Sequence, residues 1–567
     1  MKICCITILI LINSWFCFGQ NQLFNSTFDI GVADGWTDII YQNDSVFLTG
    51  SVFDASNSGH RLFSFFKLNN QTAIHHHEIG MNQNISYYSG LGKTLIYDNV
   101  NYKVYLPGST QSSGNNANGY FMVSNVNGDS LNTVTYSDST FIQASLINNS
   151  KDQLIFSGAT GVYNPNFNLD ARLMKCDTSG SILWEETFGG NSDDNFYSLD
   201  RTHDEGYVMA GYTESWGAGG WDAYVVKTDS LGNFEWQEYF GDVNNDNAWV
   251  EALDNGDLLI YGNTGHPQTN KSRAFVRKLD SLGSTKWEQI YVYDNDINHH
   301  HQILSCEVTN DGYIFAGSSF DSVDNTPLGW VLKTDFDGNE LWSRRYRKRD
   351  SQNYLRDIIE LPNGDLMACG FVFAEGPLTQ DAWLLRLNCL GFDSIPEAQG
   401  TINTLPDYEV MLENESINWG NCIINWGDGT SDYLYEGYST ELYHTYPNDD
   451  IYDIELIALA CDSSDTMFFQ VAPTFTGLEE NETMGTFSMY PNPTNNIVTV
   501  QYTITNPQGE TNVSLYDLTG RILSSDVLQK AQGSFQLNTQ NYPNGIYLVV
   551  LSDENGRHKT GKLVVRH

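Results

Sequence analysis

A lysine followed by an aspartate two residues on, a glycine five on and a tryptophan nine on recurs four times along the chain. The copies are Lys175, Asp177, Gly180, Trp184; Lys227, Asp229, Gly232, Trp236; Lys278, Asp280, Gly283, Trp287; and Lys333, Asp335, Gly338, Trp342. Fixed offsets in four copies restrict the chain to a repeat architecture. With Lys67, Ser124 and Arg386 as further anchors the steps are 57, 51, 52, 51, 55 and 53 residues. A period near fifty, built from short apolar runs such as Tyr224-Val225-Val226 and Trp383-Leu384-Leu385, fits one four-stranded sheet per repeat.

Each repeat reads as two hairpins. One turns at Gly180, Gly232, Gly283, Gly338 or Gly391, where a positive φ suits glycine. The other turns at Glu205-Gly206, Asn255-Gly256, Asp311-Gly312 or Asn363-Gly364. Seven of each hairpin occur, the series opening on the second kind and closing on the first, so a ring is expected in which residues 39–52 complete the sheet begun at Asp381. The tryptophans take one equivalent place per repeat and are expected to wedge against the adjacent sheet. The expected fold is all-β: a seven-bladed β-propeller over 21–394, followed by two small β-sandwich domains.

The net charge of −41 argues against nucleic acid or an anionic membrane as partner. Lys2, the apolar residues 3–18 and the small residues Cys17 and Gly19 read as a secretory signal, residues 1–19, cleaved after Gly19. No later run is long enough to span a bilayer, so the mature chain is expected to carry no transmembrane segment. Of the six cysteines beyond the signal, Cys176, Cys306, Cys369 and Cys389 read as small buried strand residues.

Beyond Pro396 the rhythm stops. Residues 397–472 carry Trp426-Gly427-Asp428-Gly429-Thr430 and His444-Thr445-Tyr446-Pro447, and on these residues the region resembles a polycystic-kidney-disease-type β-sandwich module. Cys422 and Cys461 lie there on strands expected to face one another, a disulfide pair that export permits. Residues 473–484 read as a linker.

The end of the chain holds Tyr490-Pro491-Asn492-Pro493, then Val513 to Arg521 with Gly520, then Gly545-Ile546-Tyr547, then Lys562-Leu563-Val564-Val565. These blocks, in this order over 485–567, resemble the type A C-terminal sorting domain of the type IX secretion system of Bacteroidetes. The resemblance implies a sorting motif at Tyr490, Pro491, Asn492, Pro493, Gly520, Gly545, Tyr547 and Lys562. It implies the secretion machinery and its sortase as partners, with a secreted or surface-attached product once signal and sorting domain are cleaved.

Three other features bear on chemistry. The histidine triplets 75–77 and 299–301 cannot each converge on one ion, because neighbouring strand side chains alternate. The acidic turns at Asp193-Asp194, Asp242 with Asp246 and Asp294 with Asp296 read as hydrogen-bonded turns, so no cofactor is expected, with calcium as the lesser alternative. The loop 215–221 offers Trp216 and Trp221 as ligand contacts. No nucleophile elbow, P-loop or zincin motif occurs. The sequence thus favours a non-enzymatic exported binding or adhesion protein for an extracellular glycan or protein. The alternative is a secreted propeller enzyme acting on polysaccharide or peptide, which acids and aromatics clustered at the mouth of the central channel would favour.

Overall fold

The computed structural model describes residues 23–29, 33–53, 59–67, 75–79, 85–88, 92–99, 101–112, 117–136, 140–148, 153–163, 167–373, 380–437, 439–474, 485–505, 509–553 and 558–567. The expected signal and most of the expected linker lie outside them. The described chain is all-β apart from one 3-10 turn, Tyr293–Asn295. It groups into two compact units, the first being residues 1–397 with 418–420 and 459–465.

One sheet of the first unit serves for the others. Its strands, Asp194–Arg201, Tyr207–Thr213, Asp222–Thr228 and Phe234–Phe240, lie in chain order and pair antiparallel. The second and third strands are buried along their whole length, whereas the fourth is mostly exposed. Unbroken apolar runs therefore mark strands covered on both faces. The same order recurs at 140–188, 247–291 and 301–346. Each sheet therefore begins with the hairpin that lacks the lysine anchor, so the anchor-to-anchor repeat straddles two sheets.

The expected closure is found in part: residues 33–79 continue the sheet of Gln380–Leu387 through one parallel pair, Ala33 with Gln380. The last sheet has Asn353–Glu360, Leu366–Phe373 and Gln380–Leu387 and needs only one more strand, which Phe24–Phe28 supplies by pairing with Gln380–Leu387, Phe24 opposite Arg386. Strand Ala33–Gln42 also packs on Asn353–Glu360 and Leu366–Phe373, so the series of sheets ends on its own beginning.

The recurrent residues prove to be scaffold. Asp229 Oδ1 accepts the backbone N–H of Leu231 and Asn233, and Asp177, Asp280 and Asp335 repeat this two-donor turn. Lys227, Lys333 and Arg386 reach the acid of their own sheet's other hairpin, Asp204 at 2.7 Å, Asp311 at 2.5 Å and Asp365 at 2.8 Å. Each tryptophan lies on the glycine turn of the next sheet: a Cβ on Gly232 would stand 2.8 Å from Trp184, one on Gly338 2.9 Å from Trp287 and one on Gly391 2.7 Å from Trp342. Glycine is thus required there twice over, by a positive φ and by the indole above it.

The second unit, described by itself, holds two pairs of antiparallel sheets. In 400–471 a three-stranded and a four-stranded sheet bury alternate residues, among them Val410, Leu412, Ile424, Ile454 and Leu456. Trp426 stacks on His444 at 4.7 Å and donates to Asp432, while His444 Nε2 lies 2.8 Å from Asp428 Oδ2. The two motifs picked out in this region therefore meet.

The disulfide is not the expected one. Cys461 is bonded to Cys389, and Cys422 is free and buried, taking a hydrogen bond from Asn414. Cys422 lies on a strand whose burial alternates, and its side chain faces the core. Cys461, with φ +53°, occupies the turn between Tyr452–Ala460 and Ser463–Val471, and that turn groups with the first unit. Cys389 is accordingly not the unpaired core residue expected, whereas Cys176, Cys306 and Cys369 are free and buried.

Candidate functional site

The first strands of the first unit converge on a cavity of about 20 Å³ lined by Lys93, Trp249, Tyr261, Ser305, Arg356 and Asp357, among others. Several of these strands carry a bulge, and the residue after it reaches the neighbouring sheet. Asp357 Oδ2 accepts from Ile39 N at 3.0 Å, Asp38 Oδ2 from Leu95 N at 2.5 Å and from Thr94 N, and Ser198 Oγ from Val250 N at 2.8 Å. Adjacent sheets are thus stitched together, and the Asp357 bond joins the last sheet to the first. Asp38 and Asp357 also hydrogen-bond each other, and burial above all drives both carboxyls upward.

Two positions beyond Ser198 and at the equivalent places of the next two sheets stand Asp200, Glu251 and Glu307, opposite Val208, Leu259 and Ile314 in equivalent registers. Lys93 Nζ lies 2.7 Å from Glu251 Oε2. Burial, then the charge of Glu251, pushes Asp200 up to about 7. Burial likewise pushes Glu307 up to about 7, against the opposing pull of Lys93. Carboxyls so tuned exchange protons at neutral pH. The cavity itself, however, has room for little more than a water molecule. Acids and aromatics do cluster at this centre, as an enzyme would need, but in a space that no sugar ring or peptide enters. None of these residues was singled out from sequence: they have no shared spacing motif, and only the registers align them.

The Trp216 loop is held rather than loose. Asp222 accepts Ala218 N at 3.1 Å, Trp216 packs on Tyr224 with centroids 5.6 Å apart, and Trp221 stacks on Tyr212 at 4.4 Å while donating to Glu214. Trp216 also lines an open hollow of about 460 Å³ with Phe188 and Phe234, whereas Trp221 is not among its lining residues. The two tryptophans therefore form no common platform.

The histidines go separate ways. His76 contacts Ser64 and stacks on Trp36; His299 pairs with Asp296, His300 with Ser272, and buried His301 with Ser319. The side chains of His75 and His77 lie outside the described residues. In the acidic turns, Asp194 accepts from Thr213, Ser215 and Gly190, Asp246 from Asp242 N and Gly265 N, and Asp296 from Asn298 N.

Of the expected sorting-motif residues, Asn492 and Lys562 meet. Asn492 bonds along the last strand, its Oδ1 accepting from Val564 N at 2.8 Å and its Nδ2 donating to Lys562 O at 2.7 Å, so a side-chain amide imitates a strand partner. Thr494 continues this parallel contact with Val565. Tyr547 donates to Pro543 O, and His567 N donates to Asn544 Oδ1. Gly520, with φ +80°, closes a turn in which Asp517 accepts two backbone N–H groups, the device already met in the repeats. Tyr490 is half-exposed, the bonds before Pro491 and Pro493 are cis, and Gly545 lies beside Tyr547.

Residues 488–566 match the family described as the secretion system C-terminal sorting domain. No curated protein matches the chain. Among solved structures, the β-propeller domain of the Trilobed protease from Pyrococcus furiosus is similar at 11% identity, with 65% of this chain and 100% of that one covered and a TM-score of 0.38. The polysaccharide lyase Uly1 is similar at 9% identity, covering 66% and 94%, with a TM-score of 0.37. The acylaminoacyl peptidase from Pyrococcus horikoshii is similar at 11% identity, covering 67% of this chain and 58% of that one, with a TM-score of 0.34. The sorting tail marks the chain as exported cargo of the type IX machinery, bound for the cell surface or the medium. Among the described residues no helix is long and apolar enough to cross a membrane.

Proposed function

We propose that the chain is a cell-surface or secreted binding protein of Bacteroidetes, non-enzymatic, in which a seven-bladed β-propeller over 21–394 presents the ligand face. A polycystic-kidney-disease-like β-sandwich over 397–472 follows as spacer, and a sandwich over 485–567 serves as address, removed by a sortase after export. The blade count takes the eight-stranded sheet as two blades, 33–79 and 353–387 with Phe24–Phe28, beside the sheets at 85–136, 140–188, 194–240, 247–291 and 301–346. The observation that carries the binding reading is the central cavity of about 20 Å³. Asp38 and Asp357 are used there as acceptors for backbone N–H groups. Ligands must then meet the outer rims.

A second reading is favoured by one observation. Asp200 and Glu307, both held at about 7, have the proton affinity a general acid requires, which keeps an extracellular polysaccharide- or peptide-cleaving enzyme in view. An array of glycans, polysaccharides and peptides probed with the purified mature chain separates the two. Retention without product release is expected. Turnover that disappears in Asp200→Asn or Glu307→Gln would establish the enzyme instead.

A further inference from the structure

One register recurs where the outermost strand of a sheet meets the glycine turn of the next sheet. Tyr136, Phe188, Phe240, Tyr291 and Tyr346 stand there, each opposite a small residue of its own sheet: Gly119, Ala171, Ala223, Ala274 and Gly329. The three tyrosines tie their junctions. Tyr136 donates to Gly180 O at 3.2 Å, Tyr291 to Gly338 O at 2.6 Å and Tyr346 to Gly391 O at 2.6 Å. A phenylalanine has no hydroxyl to do so. Over Phe240 a guanidinium takes up the space instead, Arg277 lying 3.8 Å from the ring centroid and pairing with Glu288. At the Phe188 junction Val226 and Gln237 occupy the registers of Arg277 and Glu288, so neither a hydroxyl nor that cation reaches across.

This junction is open. It holds the hollow of about 460 Å³ lined by Phe188, Trp216, Tyr224, Phe234, Glu186 and Gln237, among others, and that volume is within the range of ligand sites. The Tyr346 junction keeps a hollow too, but of about 310 Å³ and lined by Arg344, whose guanidinium lies over Phe392 at 3.7 Å.

The aromatic walls are set in advance. Buried Phe196 packs on Phe188 and on Tyr224, with ring centroids 5.9 and 5.6 Å away. Trp216 lies 5.6 Å from Tyr224 and stacks at 6.2 Å on Tyr239, while Phe234 is 55% exposed. Tyr224 donates to Gln237 Oε1 at 3.0 Å, which leaves the amide N–H groups of Gln237 as donors. Glu186 is exposed, and its neighbour Glu185 is the carboxylate that takes Arg172. Fixed aromatic faces beside an amide donor and a carboxylate acceptor suit a sugar ring, whose C–H face stacks while its hydroxyls give and take hydrogen bonds. A proline-rich peptide also stacks in aromatic grooves, but its prolines have no N–H to offer Glu186. An acidic sugar would carry its charge towards Glu186 in a protein of net charge −41.

We propose that this hollow binds a neutral polysaccharide by stacking a sugar ring against Trp216 and Phe234. The inference rests on the binding reading above and names its ligand class and its place. Affinity electrophoresis of the purified mature chain tests it, in gels containing hydroxyethylcellulose, laminarin, galactomannan or polygalacturonate, with poly-L-proline as competitor. Retardation by at least one of the three neutral polymers is expected, with none by polygalacturonate and no displacement by poly-L-proline. Trp216→Ala should weaken it about thirtyfold, as loss of an aromatic anchor does. Phe188→Tyr is the gentler variant, because it installs the residue that three equivalent junctions already carry. Its hydroxyl should bond to Gly232 O across the hollow and weaken retardation about tenfold or more, with the urea midpoint unchanged or raised. Phe240→Tyr, the same change one junction on, should leave retardation as it was. Unaltered retardation in Trp216→Ala or Phe188→Tyr, displacement by poly-L-proline, or retardation by polygalacturonate alone overturns the proposal and leaves the binding reading standing. No retardation in any gel also overturns it, and joined to turnover of a polymer it removes the binding reading as well.

Discussion

Replacing Gly232 with alanine perturbs the contact that links one sheet to the next, and the structure sets its size. At φ +88° an alanine is strained, costing about 1 kcal/mol. Its Cβ would also stand 2.8 Å from the Trp184 ring, and such overpacking costs about 1–3 kcal/mol, for a total of about 3 kcal/mol. Gly256 is the internal control: its φ of +86° is the same, but the nearest atom lies 3.9 Å away, so Gly256→Ala should cost only about 1 kcal/mol. Trp184→Ala alone, from a half-buried ring, should cost about 2–3 kcal/mol. In the double variant the clash is gone, so Gly232→Ala should add only about 1 kcal/mol there, a coupling of about 2 kcal/mol. Urea unfolding followed by tryptophan fluorescence and circular dichroism measures the wild type and the four variants. Additivity within about 0.5 kcal/mol, or equal costs at Gly232 and Gly256, would refute the idea that the tryptophan and the glycine turn act as one latch.

Other expectations follow from the same geometry. The Cys389–Cys461 bond closes 72 residues of chain; loop entropy gives it about 4 kcal/mol, so a Cys389→Ser, Cys461→Ser double variant should lose stability of that order. Non-reducing alkylation of the unfolded mature chain should label four thiols, Cys176, Cys306, Cys369 and Cys422, and six labelled thiols would remove the bond. Asp200 and Glu307 are held at about 7 by burial, above their unfolded values of about 4. The folded state therefore binds more protons across that window, and their contribution, fully present below about pH 4, is lost as the pH climbs to about 7. Asp200→Asn and Glu307→Gln should accordingly raise the unfolding free energy at pH 8 by on the order of 1 kcal/mol each after allowing for solvent in the cavity, and change little at pH 4; a loss of stability at pH 8 would reverse this account. Asp357→Ala strands Ile39 N at the junction of last sheet and first, and should cost about 3 kcal/mol or more.

How much of this was legible in the sequence differs from residue to residue. The lysine, aspartate, glycine and tryptophan could be read because each answers a local demand, a turn needing an acceptor and a positive φ, or a ring needing a flat partner. The phase of the sheets could not, since a tandem repeat looks alike from any starting point, and strand Phe24–Phe28 carries no part of the rhythm. Cys389 reads as a core residue in the sequence because its partner lies 72 positions on, in a turn of another region. The carboxylates around the central cavity were invisible among 70 acidic residues until strand registers aligned them. The run Arg344, Arg345, Arg347, Lys348 and Arg349 is explicit in the sequence of so acidic a chain, but its ion pairs with Asp321, Asp324 and Asp381 are not. In the tail the blocks could be read in order, but not that Asn492 would complete the edge of the last strand with its side chain.

The central claim is that the repeat unit is cargo carried outward by the end of its own chain. Cell fractionation of a strain producing the protein without residues 485–567 tests that most directly, with intact protein and a periplasmic marker followed alongside. The deletion is predicted to leave the protein folded in the periplasm while the full chain reaches the surface or the medium. Undiminished surface or extracellular protein after the deletion would contradict it.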